Sequence, residues 1–166
     1  MSLTFFPKDI DQGLVLEFFW KFSIFEYALK REGYLRSGRN RGAEPDWIKF
    51  GHDIRGKFDQ VTTPEIKLAK DLLIKLSPQR QIVHDMELGW EPVVRQEEDS
   101  DEEFTLRILR TSRNNLFHGG KYPESSIREI ARDREILKAS LAILQGCYEI
   151  HTGIKSRIDE VISNFL

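Results

Sequence analysis

Residues 11–32, DQGLVLEFFWKFSIFEYALKRE, set Leu14, Phe18, Phe22, Phe25 and Leu29 at intervals of three and four, and no other pattern in the chain narrows its fold so far. Such spacing winds the apolar side chains into one stripe of a helix of about six turns. Val15, Phe19 and Ile24 fall on other faces, so the helix is expected at the centre of the fold or at an oligomer interface. Lys30 and Arg31 suit the negative end of its dipole, and Gly33 is placed as its stop.

Helical spacing recurs downstream. A short helix is expected from about Asp46, and another opens with Thr63 as its cap and Pro64 in the first turn, its apolar face assigned to Leu68, Leu72 and Ile74 to Leu76. Ser100 and Glu103 form a capping box, which predicts a helix through EFTLRILRTSRNNLF to about His118; the six acids between Glu97 and Glu103 complement its N-terminus. A further long helix carries Ile127, Ile130, Ile136, Leu137, Leu141, Leu144 and Tyr148, with a bend expected at Gly146. From His151 the helix continues or restarts, with Ile154, Ile158, Val161 and Ile162 facing inward. GYLRSGRNRGAEPDW has no period and reads as a flexible basic loop. PQRQIVHDMELGWEPVVRQEEDSDEE reads as a long loop with short extended pieces at QIV and PVV. The expected fold is an all-α antiparallel bundle of four to six helices, one domain over residues 1–166.

Composition removes several classes of function. A net charge of -2 excludes a uniformly positive surface, so contact with nucleic acid has to be local. The lone Cys147 excludes an internal disulfide and is expected as buried packing in a reducing compartment, which makes the cytoplasm the expected location. His52, His84 and His151 match no metal spacing and are expected as surface or locally bonded residues; no metal and no cofactor are called for. The first residues lack the pattern of a signal peptide, and no run of about 18 apolar residues occurs, so no membrane segment is expected.

RTSRNNLFHGGKY, starting at Arg110, departs from the core pattern. Leu106, Leu109, Leu116 and Phe117 share one side of their helix, and Arg113 falls among them. An arginine keeps its charge and is costly to desolvate alone, so Arg113 needs a carboxylate, a carbonyl or an anionic ligand; Glu26, amid the aromatic residues of the first helix, is the internal candidate. His118 stands at the negative end of the helix, which favours its protonated form and poises it for proton transfer near neutral pH. Asn114 lies one turn behind and can orient the ring. Arg113 points about 140° away from His118, so a bend or a second surface has to complete the constellation.

RNNLFHGGK, an arginine followed after four residues by histidine at a helix end, resembles the signature of the HEPN superfamily (higher eukaryotes and prokaryotes nucleotide-binding). FEYALK in the Phe-rich first helix resembles that family's first helix. The resemblance implies a helical bundle that forms a homodimer with two motifs facing across a cleft, and a metal-independent endoribonuclease of toxin, defence or RNA-processing systems. It further implies that Arg113 steadies phosphate charge, His118 transfers protons and Asn114 positions them, with RNA as partner and an antitoxin protein as a possible second one. Arg36, Arg39, Arg41 and Lys121 are the candidate RNA contacts. Members regulated by adenylylation carry a tyrosine two residues after the histidine, where this chain has Gly120. Two alternatives stay open: a non-catalytic dimer of the same type that binds nucleotide, RNA or a protein, and a plain bundle in which Arg113 and Glu26 form a buried pair.

Overall fold

Asp11 starts the first helix by accepting a hydrogen bond from the Leu14 N–H (3.0 Å) in the computed structural model, which describes residues 11–60, 63–117 and 127–165. This helix, α1, spans Gln12–Arg31. It ends where Gly33 takes φ +91° and the Tyr34 N–H closes onto the Leu29 carbonyl at 2.9 Å, the left-handed stop that a residue without Cβ adopts freely. Phe18, Phe22, Phe25 and Leu29 are buried as the spacing requires, with Val15 and Ala28 beside them. Leu16, Phe19 and Trp20 are exposed, so within one chain α1 is covered on one side only.

The two segments expected as loops fold into hairpins, and the extended piece expected at QIV, residues 81–83, lies within one of their strands. Leu35–Ser37 (β1) pairs antiparallel with Ala43–Pro45 (β2), Arg36 opposite Glu44, around a 3-10 turn at Arg39–Arg41. Asn40 and Arg41 at its tip have φ of 52° and 62°. Gln79–His84 (β3) and Glu87–Pro92 (β4) form a second hairpin, joined by Asp85 and Met86 at φ 49° and 66°, the left-handed pair that a tight two-residue hairpin turn demands. Both hairpins ride on the surface, with Val83, Leu88 and Met86 in solvent, so no alternation of buried and exposed residues announced them. The chain is mostly helical with two small sheets, a departure from the all-α expectation.

Trp47–Asp53 forms α2, capped by Asp46, which accepts from the Lys49 N–H at 3.0 Å. Pro64–Leu76 forms α3, which buries Ile66, Ala69 and Leu73; Leu68, assigned inward from spacing, is 68% exposed. The face is set by α5, Ile127–Ile150, which packs along α3. A Cβ at Gly146 would stand 3.0 Å from the Ile66 side chain, so this close approach uses the glycine, and α5 continues unbroken through Gly146. Asp101–Phe117 forms α4, with the capping box complete: the Ser100 N–H donates to Glu103 at 2.8 Å and the Glu103 N–H to Ser100 Oγ at 3.2 Å. The acids around it meet specific cations, Asp101 with Lys70 and Arg95, Glu103 with Arg55, and Asp99 with Arg107. Thr152–Phe165 forms α6; Ile154 is buried, while Ile162 stays largely exposed, contrary to its inward assignment. The side chains of Phe117 and Ile127 lie outside the described residues.

His151 separates α5 from α6 and is held from both sides. Its Nδ1 accepts from the Ile154 N–H at 3.2 Å, and its Nε2 lies 2.9 Å from the Tyr34 hydroxyl. Burial, aided by Lys57, holds its pKa below the ordinary value of about 6.5. Since the folded state disfavours the proton, this contribution to stability is complete above about pH 6.5 and falls as pH drops from there towards the lower folded pKa. Proton NMR of the imidazoles should place the His151 midpoint below about 6.5; a midpoint above it contradicts the neutral cap. Ser100→Ala should cost about 1 kcal/mol in urea unfolding by removing the α4 cap.

Candidate functional site

The arginine at the end of α4 is positioned by the aromatic packing of α1. Phe25 stacks on Trp47 (centroids 5.6 Å apart, 14° between planes), and Phe22 lies 5.4 Å from the same indole. Trp47 Nε1 then donates to Glu26 Oε1 at 3.2 Å, which aims the other carboxylate oxygen at Arg113. Arg113 Nη2 stands 4.0 Å from Glu26 Oε2, its guanidinium lies 5.6 Å from the centroid of Phe22, and Nη1 donates to Asn114 Oδ1 at 3.1 Å. The Glu26 pairing expected from the sequence is therefore present, but at a separation beyond hydrogen-bond reach.

Beside Arg113, α4 and β3 enclose a cleft of about 380 Å³ lined by Arg80, Gln81, Arg107, Arg110, Thr111, Asn114 and Asn115. Among the described residues, three guanidiniums, three carboxamides and a hydroxyl line it, and no carboxylate does. Two arginines have acidic partners: Arg80 pairs with Glu91 across the hairpin, and Arg107 binds Asp99 through two bonds of 2.6 and 2.7 Å. Asn115 is buried and ties the helix to the sheet by donating to the Gln79 carbonyl at 2.7 Å. Arg110 is half-buried and, among the described residues, makes no hydrogen bond or ion pair. Burial and the nearby positive charge of Arg36 hold its pKa below the ordinary arginine value, with Glu26 and Asp46 opposing this only through space. The guanidinium nonetheless stays charged near neutral pH.

The structure brings Arg113 and Asn114 together at the end of α4; His118 and Lys121 lie outside the described residues. Arg36 is on β1, paired with Glu44 at 2.9 Å yet close enough to act on Arg110, whereas Arg39 and Arg41 stand in solvent at the hairpin tip. Reading the sequence for its histidine motif passed over Arg107 and Arg110. Their signal was present: Arg107, Arg110, Thr111 and Asn114 fall at i, i+3, i+4 and i+7, a polar stripe along one helix face. Arg80 had no such signal, because it joins the cleft only through the hairpin. Among the described residues, no group of three or more His, Cys, Asp or Glu could hold a metal ion, and no helix is long and apolar enough to cross a membrane.

The Arg113 and Glu26 side chains are 35% and 25% exposed, which with the 4.0 Å separation makes a weak pair. A double-mutant cycle of Glu26→Gln with Arg113→Met should return a coupling of less than about 1 kcal/mol. A coupling of several kcal/mol would instead assign Arg113 to a structural ion pair. Comparison with protein-family models, curated proteins and solved structures gives no match to this chain.

Proposed function

We propose that this chain is a metal-independent endoribonuclease of HEPN type that acts as a homodimer. The reading is carried by Arg113, held at the end of α4 by Phe22 and Glu26 and hydrogen-bonded to Asn114, one turn before the histidine of the motif. The 4.0 Å separation of Arg113 from Glu26 is beyond hydrogen-bond reach, and a planar guanidinium fork suits the oxygens of a phosphoryl group.

In this reaction the RNA 2′-hydroxyl loses its proton and attacks the adjacent phosphorus, and the 5′-oxygen leaves with a proton. The products end in a 2′,3′-cyclic phosphate and a 5′-hydroxyl. Arg113 stabilises the charge that grows on the phosphoryl oxygens, His118 carries protons, and Asn114 fixes the Arg113 guanidinium through its 3.1 Å bond. Arg113 and His118 diverge by about 140° on a straight helix, so a second protomer supplies the facing groups. Leu16, Phe19 and Trp20 on α1 and Phe165 on α6 are exposed, and Trp20 meets Phe165 edge to face at 6.1 Å, an apolar surface suited to such a dimer.

Purified protein in EDTA should cleave labelled RNA to cyclic-phosphate ends. Arg113→Ala and His118→Ala should each slow cleavage about a hundredfold or more. Intact RNA across varied substrates would leave a non-catalytic dimer that binds nucleotide, RNA or protein. Undiminished cleavage in both variants would remove these residues from the reaction, and a monomer by sedimentation at micromolar concentration would remove the two-motif cleft.

A further inference from the structure

Arg110 is the anomaly that the proposed cleavage leaves unused. It sits in the wall of the cleft between α4 and β3, half-buried, with no bonded carboxylate among the described residues. A partly desolvated charge without a partner is unfavourable, and the neighbouring Arg36 and Arg107 add repulsion rather than relief. Arg80 and Arg107 could have been left equally bare, yet each is matched by its own acid outside the cleft lining. The uncompensated positive charge is thus concentrated at Arg110. Asn114 strengthens the same point, since its Oδ1 is occupied by Arg113 while its amide nitrogen makes no bond among the described residues. Thr111 has spent its hydroxyl proton on the Arg107 carbonyl at 3.0 Å, which leaves Arg110 and Asn114 among the donors that line the cleft.

We propose that this cleft is a phosphate-binding site in which Arg110 makes the principal contact, with Asn114 as second donor and Arg107 and Arg80 supplying field. The planar guanidinium fork matches two phosphoryl oxygens, and an anion there offsets the charge of Arg110. A cleft of about 380 Å³ exceeds a lone phosphate and admits a nucleotide unit, so the phosphoryl group belongs to an RNA backbone or to a free nucleotide. The assignment does not depend on RNA cleavage.

Binding in a His118→Ala background separates the two readings, because no cleavage is required. The probes are a fluorescein-labelled single-stranded RNA without terminal phosphate, followed by anisotropy, and AMP and inorganic phosphate, followed by calorimetry, all in EDTA at low salt. Arg110→Gln should weaken binding roughly tenfold or more, while Arg110→Lys, which keeps the charge but loses the fork, should fall between. Weakening confined to RNA identifies a backbone phosphodiester; weakening confined to AMP and phosphate identifies a terminal phosphate. Thermal melting of the unliganded Arg110→Gln protein should show unchanged or increased stability, since a bare charge has been removed. Equal binding of all three probes by both proteins, no binding by the Arg110-bearing protein, or a marked loss of stability in Arg110→Gln would overturn the assignment.

Discussion

The packing of the α1 aromatic stripe on Trp47 is the contact from which the rest of the molecule follows. Phe22 and Phe25 both meet the indole, Phe25 also meets Phe50 edge to face at 5.7 Å, and Phe50 lies under Tyr34 and His151. One continuous set of rings thus joins α1, α2 and the junction of α5 with α6. Aromatic contacts of this kind bury large areas and fix angles as well as distances. The same indole has a polar edge, and that edge orients Glu26. Core packing and site geometry are therefore coupled through a single side chain: a shift of Trp47 would move the carboxylate that faces Arg113.

The charges around α4 divide into two sets with different physical roles. At its N-terminal end, Asp99, Asp101 and Glu103 meet Arg107, Lys70, Arg95 and Arg55, and Glu102 is buried and accepts from the Phe58 N–H at 3.2 Å. These groups are mutually satisfied and anchor the helix to α2 and α3. Along its C-terminal half, Arg110 makes no ion pair among the described residues, and Arg113 stands 4.0 Å from Glu26 while bonding Asn114. The proposed phosphate site therefore draws on the second set, at Arg110, and not on the first.

Much of the helical framework was legible in the amino-acid order because its causes are local. Gly33 and the Ser100–Glu103 box act over three to five residues, and each formed where its spacing placed it; Thr63, expected as a cap, precedes α3 but makes no side-chain cap hydrogen bond. The two hairpins were legible only in the extended piece at QIV, residues 81–83, which lies in β3. Their faces are mostly in solvent, and the β3–β4 turn uses Asp85 and Met86 rather than a glycine pair, so neither alternation nor turn chemistry marked them. The face of α3 was legible in part: Leu72, Ile74 and Leu76 pack against the core as expected, but Leu68 is exposed and Ile66, which meets Gly146 on α5, is buried in its place.

The candidate site divides along the same line. By itself the sequence determined that Arg113 shares a helical side with leucines and that Asn114 follows it near the helix end, since about 100° of turn per residue leaves no freedom in the matter. Tertiary structure alone decided that Glu26 stands 4.0 Å from Arg113, that Arg80 crosses from a hairpin to line the cleft, and that Arg110 is half-buried with no ion pair among the described residues. Whether a charged side chain is matched depends on which distant segments pack beside it, and no local spacing records that.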